Sequence, residues 1–256
     1  MKTPLIFDIK RGSTVDGPGV RTAIFFKGCN LDCFWCHNPE GKSPEAQMAL
    51  FKEKCVACKT CLTVCDNSLK SCTVCGRCAD TCPADARKLY GVEYTPDELL
   101  DIIKADKQYF LATDGGVTFS GGECMLYPDY ITTLTELCKK EGISVAIDTA
   151  GCVPFSIFER VLPYTDIFLY DIKCLDEQLH IKGTGKSNKT ILQNLTRLKE
   201  TKKRIIIRIP VIPGFNDGEE LDKIKNFCQS NALPYEFLPY HEFGTAKAEA
   251  LKNNIL

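Results

Sequence analysis

No apolar run in this 256-residue chain approaches the roughly 20 residues that a membrane-spanning helix requires. The opening Met1-Lys2-Thr3-Pro4 lacks the apolar stretch of a signal peptide. Charge of one sign is not in excess either: the formal net charge is −1 and Lys and Arg are dispersed, so there is no electrostatic footprint for nucleic acid or an anionic membrane. The bias of a disordered chain is missing too, since 44% of the residues are hydrophobic, enough for one sizeable core and a small satellite domain. These absences predict a cytoplasmic globular protein with no nucleic-acid and no membrane partner.

Cysteine is what the chain has in excess. Disulfides are disfavoured in the cytosol, so metal ligation is the default for those of its 16 cysteines that cluster. Three groups do so: Cys29, Cys33 and Cys36; Cys55, Cys58, Cys61 and Cys65; and Cys72, Cys75, Cys78 and Cys82. Of the scattered remainder, Cys138 and Cys228 sit in helical patterns as small buried hydrophobes. Cys124, Cys152 and Cys174 each follow a candidate site motif, and their role stays open.

The first group is CxxxCxxC, preceded by Ala23-Ile24-Phe25-Phe26 and continued by His37-Asn38-Pro39. Three thiolates leave a cubane [4Fe–4S] cluster one ligand short, and the uncovered iron can take a small molecule and react with it. Structural zinc fits poorly, because it wants a closed tetrahedron and the nearby fourth candidate, His37, adjoins Cys36.

Between Lys54 and Pro83 core periodicity gives way to two copies of CxxCxxCxxxC, the second ending Cys82-Pro83. This resembles bacterial two-cluster ferredoxins. The resemblance implies one cluster on Cys55, Cys58, Cys61 and Cys82, and another on Cys72, Cys75, Cys78 and Cys65. Two features depart from it: Asp66 replaces the proline after Cys65, and only six residues separate Cys65 from Cys72.

After Tyr94, amphipathic helices alternate with short apolar strands. Thr95-Pro96-Asp97-Glu98 reads as a capping box with proline at the first helical position. Strands are expected at 116–120, 144–148, 166–171, 204–211 and 235–239, with helices at 128–140, 154–162, 189–202 and 218–230. With a strand at 22–27 this makes six parallel strands, an α/β fold too short for a closed eight-stranded barrel, with chemistry at the carboxyl ends of its strands.

The triplet with an aromatic residue before its last cysteine resembles the signature of the radical S-adenosylmethionine (SAM) superfamily. Val15-Asp16-Gly17-Pro18-Gly19-Val20-Arg21 and Cys36-His37-Asn38-Pro39-Glu40 resemble its glycyl-radical-enzyme activating branch, the relatives of pyruvate formate-lyase activating enzyme. The resemblance implies a partial (β/α)6 radical SAM barrel with an inserted ferredoxin-like domain, divided as 1–49, 50–93 and 94–256. It implies that Cys29, Cys33 and Cys36 hold a cluster that reduces SAM to methionine and a 5′-deoxyadenosyl radical, which abstracts a hydrogen from a glycine of a partner enzyme. Asp16 is then the candidate for holding the partner peptide, and Trp35, Cys36 and His37 lie at the cofactor. Three [4Fe–4S] clusters, a glycyl radical enzyme as protein substrate and flavodoxin or ferredoxin as electron donor follow from the same resemblance.

Other motifs take roles by the same route. Gly121, Gly122 and Glu123 resemble the clamp for the SAM amino group. Asp148 and Thr149, with Asp171, Ile172 and Lys173, match positions that gather oxygen ligands for a monovalent cation (K or Na) touching the SAM carboxylate, which Lys173 could neutralise directly. His241, in Leu238-Pro239-Tyr240-His241, would approach the nucleoside. Arg208, a charge on an apolar strand, is expected to point into the barrel or to be paired. Gly183-Thr184-Gly185-Lys186-Ser187 is not a phosphate-binding loop, since His180 stands where its first glycine belongs. Two rival readings remain, an electron-transfer protein of ferredoxin type and another radical SAM enzyme acting on a small molecule or peptide.

Overall fold

Short apolar runs that alternate with amphipathic helices line up as one eight-stranded sheet in the computed structural model, which describes residues 3–66 and 72–252. The strands are β1 (Leu5–Ser13), β2 (Arg21–Phe26), β3 (Gln47–Leu50), β4 (Arg87–Tyr90), β5 (Val92–Glu93), β6 (Gly116–Gly121), β7 (Ser144–Thr149), β8 (Ile167–Asp171), β9 (Arg204–Val211) and β10 (Tyr235–Pro239). The helices are α1 (Thr60–Thr63), α2 (Arg77–Asp80), α3 (Pro96–Lys104), α4 (Lys107–Thr113), α5 (Pro128–Lys140), α6 (Phe155–Val161), α7 (Glu177–Thr184), α8 (Lys189–Glu200), α9 (Glu219–Ser230) and α10 (Phe243–Lys252).

The sheet order is β10-β9-β8-β7-β6-β2-β1-β5. From β10 to β2 every pairing is parallel, which gives the six parallel strands expected; β1 and β5 add an antiparallel edge. Parallel strands need helical crossovers, and the helices supply the second layer. Helix α3 starts where its capping box is written: Thr95 accepts from the Glu98 N–H while Glu98 accepts from the Thr95 N–H. Among the described residues no helix is long and apolar enough to cross a membrane.

Strand periodicity sorts the side chains into two faces. Val117, Phe119, Val145, Ile147, Phe168 and Ile207 pack under the helices in the main core, against residues such as Leu134, Phe158 and Leu195. Their alternates, Ala146, Leu169 and Ile206, form a small separate cluster on the other face, within the barrel. Thr118, Ser120, Asp148, Asp171 and Arg208 fall on that same parity, so the polar groups of the strands are gathered inside.

Several elements lie outside the pattern read from sequence: β1, α4, α7, α10, and the antiparallel pair β3–β4 that flanks the cysteine-rich segment at its two ends. Helix α10 brings Ala250 into a cluster with Phe7, Phe25, Ala49 and Tyr90. It thereby packs across β1, β2 and the β3–β4 pair.

Candidate active site

The loop after β2 carries the cysteine triplet and is fixed by its main chain. Asp32 and Phe34 donate their N–H groups to the carbonyls of Thr184 (2.8 Å) and Gly183 (3.2 Å) at the end of α7. Gly183 permits this contact, because a Cβ there would stand 2.3 Å from the Phe215 ring and 2.7 Å from Trp35. Trp35 is buried against Phe215, ring centroids 4.6 Å apart. The segment resembling a phosphate loop is therefore a brace for the triplet. At the other end, Cys29 N–H donates to Lys42 (3.0 Å).

Cys33 is buried and Cys29 and Cys36 are partly so, among Leu31, Ala150, Ile212 and Phe215. Burial pushes the Cys29 thiol up to about 12 and Cys33 up to about 11. Burial also raises Cys36, and the nearby Lys173 ammonium lowers all three. Thiols this dry become thiolates only by taking a cation. Among the described residues no trio of His, Cys, Asp or Glu closes around a single metal ion. Two buried atoms beside the triplet, Asn30 Oδ1 and His37 Nε2, lack hydrogen-bond partners, as expected of a pocket lining whose ligand completes it.

At the strand ends, Asp148 accepts from Ser120 (2.6 Å) and from Arg208 Nη1 (3.2 Å). Burial pushes the Asp148 carboxyl up to about 6; Arg208 pulls it down and Asp171 adds to the rise. Asp171 pairs with Lys173 at 2.5 Å, and Arg208 also reaches Glu236 (3.1 Å) and the Val15 carbonyl (3.3 Å). Burial opposes the Lys173 charge, but Asp171 and Cys33 hold that ammonium above the usual lysine range. Arg208 thus meets both expectations for it, pointing into the barrel and paired. Ser120 belongs to the site through its bond to Asp148, a contact that only the pairing of neighbouring strands reveals.

One expectation is corrected here. Thr149 does not converge with Asp148 and Asp171: consecutive strand residues face opposite ways, and its hydroxyl sits 2.9 Å from both Glu123 oxygens on the helix-facing side. Asp171 is paired with Lys173 and Asp148 with Arg208. Glu123 is 1% exposed and accepts from Thr149, the Ala150 N–H (3.1 Å) and the Met125 N–H (3.1 Å). Burial pushes it up to about 7 against those three bonds. Gly121 and Gly122 serve close approach, since Cβ atoms would stand 2.2 Å from Phe26 N and from the Gly28 carbonyl respectively. Ile172 contributes a core side chain, and its N–H donates to the Arg208 carbonyl (3.0 Å).

Asp16 is buried within the barrel, where Ser13 donates to its carboxylate and its charge bears on Asp148 and Arg208. Arg21 holds it there, a residue not singled out from the sequence. The guanidinium is 0% exposed and donates to Thr118 Oγ1 (2.6 Å) and to the carbonyls of Pro18, Val117 and Ser144. Thr118 in turn donates to the Asp16 carbonyl (2.6 Å). His241 stands exposed at the rim, stacked on His37 with ring centroids 3.8 Å apart. Burial, with His241 and Lys247 adding, lowers the His37 imidazole to about 4.

The cysteine-rich segment repeats in backbone as it does in sequence. Ala57 (φ +54°) and Val74 (φ +57°) are left-handed at equivalent positions, followed by Lys59 (φ +63°) and Gly76 (φ +80°). A β-branched residue such as Val74 rarely adopts this conformation, so its match to Ala57 marks the two runs as backbone copies. Cys65, Cys72, Cys75 and Cys78 line one cavity with Met48 and Val64, the four thiols implied for one cluster. Cys82 lies in the field of Cys58, both from the other set. Cys55, Cys58, Cys72 and Cys75 are exposed, and Cys61 is partly buried.

The family model described as the Radical SAM superfamily matches residues 23–228. The chain is 39% identical, over 97% of its length and 88% of the relative's, to the trans-4-hydroxy-L-proline dehydratase activating enzyme of Clostridioides difficile. It is 38% identical to the (2S)-3-sulfopropanediol dehydratase activating enzyme of Klebsiella oxytoca, covering 96% and 85%. Among solved structures, Streptococcus suis SuiB bound to precursor peptide SuiA shares the fold, with a TM-score of 0.56 at 14% identity over 89% of this chain and 40% of that one.

Proposed function

The chain belongs to the radical SAM superfamily and is a glycyl-radical-enzyme activating enzyme, and from that membership we propose how its residues divide the work. The observation that carries the assignment is a three-thiol loop set beside the interior charges Asp148, Asp171, Lys173 and Arg208. Cys29, Cys33 and Cys36 hold a [4Fe–4S] cluster with one iron left for SAM. When bound, cluster and SAM supply the one-electron cleavage of the sulfonium and the abstraction of a glycine hydrogen.

Lys173 neutralises the SAM carboxylate, and Arg208 keeps Asp148 in place for the ligand's positive end. His37 and His241 form the aromatic wall for the nucleoside, with Trp35 fixing the loop beneath. A Na+ or K+ ion at these strand ends would be held by carboxylate oxygens of Asp148 and Asp171. Asp16 faces the glycine-bearing segment of the partner, a glycyl radical enzyme. The eight cysteines of the ferredoxin-like insert hold two further [4Fe–4S] clusters and receive electrons from a flavodoxin or ferredoxin in the cytoplasm.

Anaerobic reconstitution tests the reading. About twelve irons per chain are expected, as three cubanes, with 5′-deoxyadenosine formed from SAM under dithionite and a glycyl radical signal in electron paramagnetic resonance when a matching partner is added. Clusters without SAM cleavage would leave an electron-transfer protein. SAM binding that ignores the choice of monovalent ion would remove the cation.

A further inference from the structure

The parallel run of the sheet is open, with β2 at one end and β10 at the other, so strand pairing does not tie its first unit to its last. Helix α10 does. It follows β10 and His241 and packs on the face of β1 and β2 opposite the main core: Ala250 joins Phe7, Ala23 and Phe25, with Leu251 against them, whereas Ile24 and Phe26 lie under the other helices. Its first turn approaches the cysteine loop closely, since a Cβ on Gly244 would stand 2.3 Å from the Cys36 carbonyl oxygen and 3.1 Å from His37 Cα.

One side chain of α10 grips the chain that leaves the triplet. Lys247 Nζ donates to the His37 carbonyl (3.3 Å), to Asn38 Oδ1 (3.1 Å) and to Glu40 Oε1 (2.6 Å). An ammonium has three N–H donors, and all three are used on this one segment. The Glu40 side chain is 3% exposed and its other oxygen, Oε2, has no hydrogen-bond partner, so the buried carboxylate depends on Lys247. From behind, the Glu40 carbonyl accepts from the buried Lys27 (2.5 Å). Earlier in the triplet the braces are main-chain bonds from Cys29, Asp32 and Phe34; after Cys36 the brace is this side chain. The same two segments meet again in the stacked rings of His37 and His241.

We propose that Lys247 is a positioning residue for SAM: by locking His37–Glu40 to α10 it fixes the His37 and His241 rings as one rigid wall of the nucleoside pocket. Those rings come from opposite ends of an open sheet, and strand pairing gives them no reason to keep their spacing. The clamp supplies it. A wall ordered in advance need not be ordered by the ligand, so the clamp raises affinity for SAM without a contact to the reacting atoms. Lys247 acts through the His37 carbonyl and the Glu40 carboxylate. The inference rests on the proposed SAM site at the triplet, with His37 and His241 as its aromatic wall.

Titration of the reduced, reconstituted full chain with SAM, followed by the change in its electron paramagnetic resonance, tests the clamp, with 5′-deoxyadenosine formation measured alongside. A wild type that binds no SAM would overturn this inference together with the site on which it rests. With SAM bound by the wild type, Lys247→Met should keep the full iron content but weaken SAM about 10- to 100-fold. Its KM for SAM should rise while kcat at saturating SAM stays close to that of the wild type. Lys247→Arg keeps a cation within reach of Glu40 and should recover part of the affinity; Glu40→Gln should weaken SAM in the same direction, but less. Leu251→Ala loosens α10 only at its apolar end, so it should lower the melting temperature and leave SAM affinity alone. Where Lys247→Met fails to fold, Glu40→Gln decides. Unchanged SAM affinity in Glu40→Gln, loss of iron from soluble Lys247→Met, or a Leu251→Ala that weakens SAM as much as Lys247→Met would overturn the proposal.

Discussion

The barrel triplet and the insert runs present cysteine in opposite ways. In the barrel the thiols are dry, raised by burial, and held by a loop bonded to α7 and packed on Trp35 and Phe215. In the insert four thiols are exposed, and their cradles are built from left-handed turns with two four-residue helices. The first site draws its order from the barrel core and exists as part of it. The second has little apolar surface to bury, and strained turns persist only where something over-determines them. The barrel site is thus dry and ordered by the core, and the cysteine-rich segment is open to solvent.

The largest effect that would sharpen this contrast comes from removing iron. Chelation under anaerobic conditions should leave the barrel folded while hydrogen exchange in 55–82 rises toward that of an unfolded chain. Uniform loss of protection across β6–β9 would break the comparison. Next in size is a split by mutation. Cys33→Ala should abolish 5′-deoxyadenosine formation, whereas Cys58→Ala and Cys75→Ala should leave SAM binding measurable by calorimetry. Loss of SAM binding with the barrel cluster intact would show that the two regions are not separable.

A smaller effect concerns the dry side alone. Glu123 is raised by burial from 4.5 to about 7, so the stability it contributes is complete below pH 4.5 and is lost as pH rises through 7. Against Glu123→Gln, the wild type should lose on the order of 3 kcal/mol across that window. Denaturant unfolding at several pH values checks the slope, which would be flat if the carboxylate were solvated. The smallest effect is Thr118→Val, which removes the hydroxyl between Arg21 and the Asp16 carbonyl and should cost about 1–3 kcal/mol. Iron content should not change, and exchange at Asp16 and Gly17 should quicken. Thr118→Ser should behave as wild type.

Much of the fold is readable along the chain because its signals are local. The capping box at Thr95–Glu98, the strand Arg204–Val211 and the helix Pro128–Lys140 each carry their own periodicity or cap. Strand β1 and helix α10 do not: β1 alternates poorly with four of its nine residues exposed, and α10 is placed by setting Ala250 against Phe7 and Tyr90. The active site divides in the same manner. Motifs named Asp148, Asp171 and Lys173, and its place on an apolar strand named Arg208; Ser120, Thr118 and Arg21, the last residue of the Val15–Arg21 motif, acquire their roles from neighbours on other strands.

Sequence alone determined which residues could ligate metal, because thiolate spacing is a property of the chain, and that six strands alternate with helices, because amphipathic period is local. Tertiary structure decided where each side chain points and what it meets. Asp148 and Thr149 are neighbours in the chain, yet the pleat sends one inward to Arg208 and the other outward to Glu123. Glu123 is named by its motif, but only the packing brings it to Thr149 and the Ala150 N–H, since a carboxylate deep in the fold takes the donors within reach.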